Sequence, residues 1–435
     1  MDRKTTILAA IVAFGLAALG SRLLFSPGTP PPAPDPKPTV AASGTTYAAL
    51  LADLDRRIDG LQARTEGRAR DWLTRMHLGT ALFERAGLTN QLADYARVQA
   101  VLDEAFAAAP DPAGPVVLAA RFNFSIHRLS VAEQFLAKLD RQAIPQRDDQ
   151  TAARLLRAEI AIQRGQYDGV EAELTMIAKA LPAFGDPSLA LYHAKTGKPD
   201  EATRLLGEAL TLTSPKDPQR RAWLSLQLGV VAMNRGELQA ALQHFKNADA
   251  ELADWWLVQE QIAEVHSRRD QHARAIEIFE QLVPTTDLPQ HMDQLAALYR
   301  HAGKPEQADE WIARAAARWD QALAQFPESA MGHALQHYLQ FGPPARALEL
   351  ALANHANRPG GDAKVSLAQA YLQLGRAAEA LPILEQVLQT PYRTAKLHDV
   401  AAKVHTALGD TAAAEAQMAL CYALNPMYTS DDHTH

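Results

Sequence analysis

The chain has 435 residues, too many for one ordinary hydrophobic core but suited to a stacked array of small units. Apolar residues make up 47% and aromatics 6%, which points to close-packed helices rich in Ala and Leu and away from a β-rich domain. Lys and Arg number 43 against 50 Asp and Glu, a net charge of -7 that offers no electrostatic case for nucleic acid; the single Cys421 excludes an internal disulfide and a multi-cysteine zinc site.

Residues 1–25 read as a signal anchor. Arg3 and Lys4 precede an apolar run from Thr5 to Phe25 whose only charge is Arg22, and its 21 residues match the ~20 needed to span a bilayer. Arg22 lies near the end of the run, where its long side chain can snorkel to the interface. A cleaved signal peptide, cut after Ala18-Leu19-Gly20, is the alternative, and would leave a secreted or periplasmic protein. The basic start favours a cytoplasmic N-terminus and an exported body. Residues 26–46 form a Pro-rich linker. Seven prolines between Ser26 and Ser43 suit an extended spacer rather than a packed segment.

Residues 47–67 are expected to form an amphipathic helix. Tyr47, Leu51, Leu54, Ile58 and Leu61 follow a heptad seam of about two heptads. The seam either packs on the first unit of the body or serves self-association through 47–61.

The body, residues 68–426, is organised by a stretch best read at Trp223 to Ala248. Leu224, Leu228, Val231 and Ala232 form one apolar stripe, and Leu238, Ala241, Leu242, Phe245 and Ala248 a second, both at helical spacing. Gly236 lies between them, and Gly229 and Ala241 are small enough for close helix approach. Comparable turns fall at Gly165, Gly197, Asp270, Gly303, Gly342, Gly375 and Gly409, at intervals of 32 to 39 residues. Most are followed by a small residue and, four positions on, a larger apolar one, as in Ala275/Phe279 and Ala380/Leu384. Two less regular units precede them, Asp71 to Pro110 with a long turn over Gly87 to Asp94, and Pro115 to Leu139.

This recurrence of spacing and side-chain size resembles the tetratricopeptide repeat (TPR), although Ser225 stands in the family's Trp slot and Ala232 in its Tyr slot. The resemblance implies an all-α, TPR-type helix-turn-helix solenoid of about ten pairs behind the N-terminal transmembrane helix. It also implies a non-enzymatic scaffold without a cofactor, binding protein or peptide segments through a concave face lined by first helices. On this reading the polar first-helix residues Gln227, Asn234, Glu260, Glu264, Arg268, Asp293, Arg300, His301, His333 and Gln336 line the groove as a solvated surface. Reversing charge at Glu260, Glu264 and Arg268 should then leave folding intact. An inner-membrane, single-pass protein with a periplasmic repeat domain follows. An assembly or maturation factor for an exported enzyme or cytochrome complex, or a cytoplasm-facing adaptor, are alternatives.

Other candidate chemistry is sparse. His333 and His337 stand one helical turn apart, as zinc ligands do, but Ala334 occupies the place of a protease's glutamate and no third ligand is evident. His337→Ala should on this view cost little. Trp255-Trp256 reads either as an exposed aromatic anchor or as a packed wedge. Cys421 reads as a buried thiol, and residues 427–435 as a polar tail with a weak metal-binding alternative at Asp431 to His435.

Overall fold

The computed structural model describes residues 35–110, 113–142 and 147–428; the apolar run at 5–25 and the histidines of the C-terminal tail lie outside them. Among the described residues there are twenty-one helices and no strand, and no helix is long and apolar enough to cross a membrane. A single helix, α1 (Tyr47–Thr65), precedes twenty that follow one another in consecutive pairs. The first five are α2 (Trp72–Thr89) with α3 (Leu92–Ala108), α4 (Val116–Ser125) with α5 (Leu129–Asp140), α6 (Arg147–Gln163) with α7 (Val170–Ala180), α8 (Pro182–Lys195) with α9 (Pro199–Leu212), and α10 (Pro218–Asn234) with α11 (Leu238–Glu251). The last five are α12 (Trp256–Arg268) with α13 (His272–Thr286), α14 (Pro289–His301) with α15 (Pro305–Gln325), α16 (Pro327–Gln340) with α17 (Pro344–Asn357), α18 (Gly361–Gln373) with α19 (Ala377–Leu388), and α20 (Ala395–Ala407) with α21 (Thr411–Leu424).

Local chemistry explains the punctuation. Prolines open α8, α9, α10 and α14, at a position where the missing N–H has no intrahelical acceptor. Most of the turns inside a pair hold one left-handed residue. Glycine supplies it at 165, 197, 236, 303, 375 and 409, and Asp270 (φ 58°) takes the same place between α12 and α13.

Two compact units are present, and the first holds residues 48–160 with 321–330. Its core joins Val116, Phe124, Leu129, Leu136, Leu156 and Ile160. Leu54 and Ile58, the centre of the heptad seam, are buried here. Asp55 and Arg57 of α1 pair with Arg85 and Glu84 of α2, at 2.7 and 2.5 Å. The seam therefore packs within the unit, and its central residues are not offered to a second copy. The long turn expected over Gly87 to Asp94 is instead short. Helix α2 continues through Gly87 to Thr89, because Leu88 is fully buried and Asp94 accepts from Thr89 and Arg85, which outweighs the cost of one helical glycine.

The second unit holds residues 35–47, 161–320 and 331–428 of the described chain. Here the later turns return onto the earlier ones. Arg164 donates to Asn357 O (3.0 Å), Arg393 N to Lys195 O (2.8 Å), and Lys195 Nζ to Asp362 (2.7 Å). The close approach requires glycine: a Cβ on Gly165 would stand 2.9 Å from Pro359 O, and one on Gly360 2.9 Å from Gln163 O. The C-terminal stretch is also drawn in. Tyr428 is buried and Met427 packs at Gly236, so the polar tail begins later than its composition suggests.

Residues 35–46 depart from the free spacer their prolines imply. Thr39 bonds to Asn247 and Ser43 N donates to Ala250 O (2.9 Å), which lays the segment against α11.

Asp186 lies buried in α8, and burial, reinforced by Glu208 and opposed by Arg204, pushes its carboxyl up to about 6. The folded pKa exceeds the ordinary 3.8, so the ionised form costs stability. That cost is absent below about pH 4 and complete above about pH 6. Asp186→Asn is therefore expected to stabilise the chain by roughly 1–3 kcal/mol at pH 7.5, with the gain vanishing near pH 4. Thermal melts of the two proteins at both pH values check this.

Candidate functional site

The first helices of neighbouring pairs lie side by side in the second unit, and their polar residues meet across the seams. Between α12 and α14, Glu260 is 1% exposed, and its Oε2 stands 3.7 Å from His291 Nε2. His291 is fixed from its other side. The Thr286 hydroxyl donates to Leu282 O (2.9 Å), and so accepts from His291 Nδ1 at 2.8 Å. No described group donates a hydrogen bond to either Glu260 oxygen. Between α14 and α16, Asp293 accepts from His337 Nδ1 (2.6 Å) and from Trp319 Nε1 (2.8 Å). Burial holds the Asp293 carboxyl above the usual range, and these two donors pull it back only in part.

The expected solvated row is thus divided by the packing. Gln227, Glu260, Glu264 and Asp293 are buried. Glu264 is 7% exposed and bonds Arg268 at 2.9 Å, with the Arg268 side chain equally covered. Charge reversal at Glu260, Glu264 and Arg268 would therefore place like or unpaired charges in the interior, and folding is not expected to survive it. The physical reason is lateral. These side chains face the adjacent first helix, where their partners are, rather than water. Asn234 and Arg300 remain exposed, with His301, His333 and Gln336 half-buried. The open positions cluster towards the ends of the first helices. Arg300 lies 4.9 Å from the centre of the Phe341 ring and is 43% exposed, and His301 meets His272 at 4.1 Å between ring centres.

The two spaced histidines serve different neighbours. His337 is 2% exposed and committed to Asp293. His333 stacks on Trp319 with ring planes 4° apart, and burial, with Arg358 adding to it, pushes it down to about 4. Because His337 is buried and hydrogen-bonded to Asp293, His337→Ala is expected to cost more than its sequence position alone suggests. Trp255 and Trp256 are both buried, which removes the exposed-anchor reading. Cys421 is a buried free thiol.

The same helix register reaches residues that the sequence reading passed over. Asp362 and Lys396 are second residues of α18 and α20, and Asp399 and Lys403 follow Lys396 on its face. Lys403 pairs with Asp399 at 2.7 Å. Burial pushes the Lys396 amine down to about 8, against the opposing pull of Asp362 and Asp399. Extending the polar-position count from α16 into α18 and α20 would have found them.

Small-against-large packing recurs in several of the pairs. In α10 and α11, a Cβ on Gly229 would overlap the ring of Phe245, which is fully buried. Ala202/Leu206, Ala275/Phe279 and Ala380/Leu384 are buried in the same register of other second helices. A family model described as tetratricopeptide repeat matches residues 362–395, the α18–α19 pair. The α18–α19 pair is therefore a tetratricopeptide repeat unit. Among the described residues it is one of ten consecutive helix pairs, α2 to α21.

None of the curated proteins matches the chain. Solved structures similar to it include a tetratricopeptide repeat protein from Parabacteroides merdae ATCC 43184, at 16% identity and TM-score 0.35, covering 56% of this chain and 93% of that one. A human IFIT1 dimer with m7Gppp-AAAA is 13% identical with TM-score 0.42, covering 86% and 94%. The APC/C hetero-tetramer Cut9-Hcn1 is 13% identical with TM-score 0.41, covering 88% and 81%.

Proposed function

We propose that this TPR array is a membrane-tethered, non-enzymatic scaffold that holds an extended segment of a partner protein against the ends of its first helices. The carrying observation is the division of the polar row. Glu260, Glu264 and Asp293 are spent inside the array, whereas Asn234 and Arg300 present polar groups to solvent at equivalent helix ends. Spaced side-chain donors and charges of this kind suit a peptide better than an apolar ligand. The tether rests on the 21-residue apolar run at 5–25, and Arg3 and Lys4 favour an exported, periplasmic body.

The test uses the full chain in detergent-solubilised membranes. Asn234→Lys with Arg300→Glu is expected to reduce co-purification of the main partner at least ten-fold while helicity and melting temperature stay unchanged. An unaltered partner set would move the site off the helix ends. A reporter fused after His435 reads the topology separately, and activity confined to a cytoplasmic reporter would overturn export.

A further inference from the structure

We propose that the groove formed by α11 and the α12–α13 turn is a recognition site for an extended, acidic-headed peptide, and that residues 35–46 are its occupant in cis. Of the first helices it takes only the end of α12, through His266 and Arg269, and it does not use Asn234 or Arg300.

Three anchor points are spaced four residues apart along the segment: Asp35, Thr39 and Ser43. The Asp35 carboxylate meets Arg274 at 2.8 Å and Arg269 at 3.3 Å, with His266 Nε2 at 3.7 Å. Asn247 reads Thr39 twice, accepting from its backbone N–H (2.7 Å) and donating to its hydroxyl (3.0 Å). Ser43 gives its N–H to Ala250 O (2.9 Å) and its hydroxyl to Glu251 O (2.5 Å). Those two carbonyls belong to the last turn of α11, where no intrahelical donor remains. The segment thus supplies bonds that the end of this helix lacks. Beyond Ser43, Thr45 O accepts from Ala253 N at 3.0 Å.

The manner of holding marks a ligand rather than a core element. Residues 37–39 and 41–44 are exposed while bound, so the segment is kept by hydrogen bonds and ion pairs and little by apolar burial. Pro36 and Pro38 pre-extend it, which lowers the ordering cost of docking and equally lets a competitor of the same form exchange with it. The site therefore selects a carboxylate followed by hydroxyls at the fourth and eighth positions on an extended backbone. A partner segment of that chemistry gains access when the cis segment leaves.

The probe is a fluorescein-labelled synthetic peptide of residues 35–47, added to the full-length chain. Weakening the cis segment with Asp35→Lys and Thr39→Ala is expected to tighten peptide binding at least ten-fold relative to wild type. Arg269→Glu with Arg274→Glu should abolish binding, and should speed amide exchange at Thr39 and Ser43 at least ten-fold with global helicity retained. Equal peptide binding by wild type and the weakened variant would overturn the proposal. So would absence of binding to both, or wild-type Thr39 and Ser43 amides that exchange at unprotected rates.

Discussion

Phe245→Ala is expected to destabilise the array by about 3–5 kcal/mol, the cost of emptying a fully buried aromatic site. The ring lies on Gly229 with no room for a Cβ between them, so α10 and α11 are held at a separation set by these two residues. Loss of the ring leaves a cavity that Gly229, lacking a side chain, does nothing to fill. Gly229→Ala should be damaging for the opposite reason, overpacking, and roughly 1–3 kcal/mol is the usual scale. The two changes share one space and should not be additive: Gly229→Ala in the Phe245→Ala background is expected to cost far less than alone. Chemical denaturation followed by helicity measures all four proteins. Because stability in a stacked array is carried between neighbours, the loss should appear as earlier unfolding of the pairs around α10–α11. A melting curve unmoved by Phe245→Ala would show that the register of these two helices is wrong.

The second large effect is at His337. Removing the imidazole leaves the Asp293 carboxylate buried with Trp319 as its remaining donor, and breaking a buried pair from one side typically costs about 3–5 kcal/mol. His337→Ala should therefore be among the more damaging substitutions in α16. The sign of the pH dependence follows from Asp293. Its folded carboxyl is already raised by burial, and loss of His337 removes an opposing cause, so the folded pKa rises further. A raised acid destabilises as it ionises, so the deficit against wild type should shrink as pH falls towards the ordinary 3.8 and grow above it. Asp293→Asn in the His337→Ala background should recover much of the loss at pH 7.5. Urea titrations at two pH values decide between this and a passive histidine, for which the deficit would be small and independent of pH.

Both expectations separate what was legible in the sequence from what was not. Phe245, Gly229 and Gly236 announced their roles by size and spacing alone. A ring that needs a glycine opposite and a left-handed turn that needs glycine between them are short-range demands, repeated pair after pair. His337 announced nothing of the kind. Its partner Asp293 lies 44 positions earlier, in another pair, and the chain offers no local pattern that links them. The same holds for Glu260 and His291, read as solvated residue and passed over respectively, and for Thr39 and Asn247, 208 positions apart.

The sequence by itself determined the repeating unit, its ten-fold recurrence and the apolar stripes, because helix period, turn glycine and the small-to-large interlock act over about 34 residues. Only the tertiary structure decided which polar side chains face water. That depends on how closely successive first helices approach, a distance set by the summed packing of each pair against its neighbours rather than by any one residue. The close approach turned Glu260 and Asp293 inward to partners on the next helix and left Asn234 and Arg300 at the open ends. The docking of residues 35–46 was decided in the same way, by the unpaired carbonyls at the end of α11 and the arginines at 269 and 274, which come together only once the array is stacked.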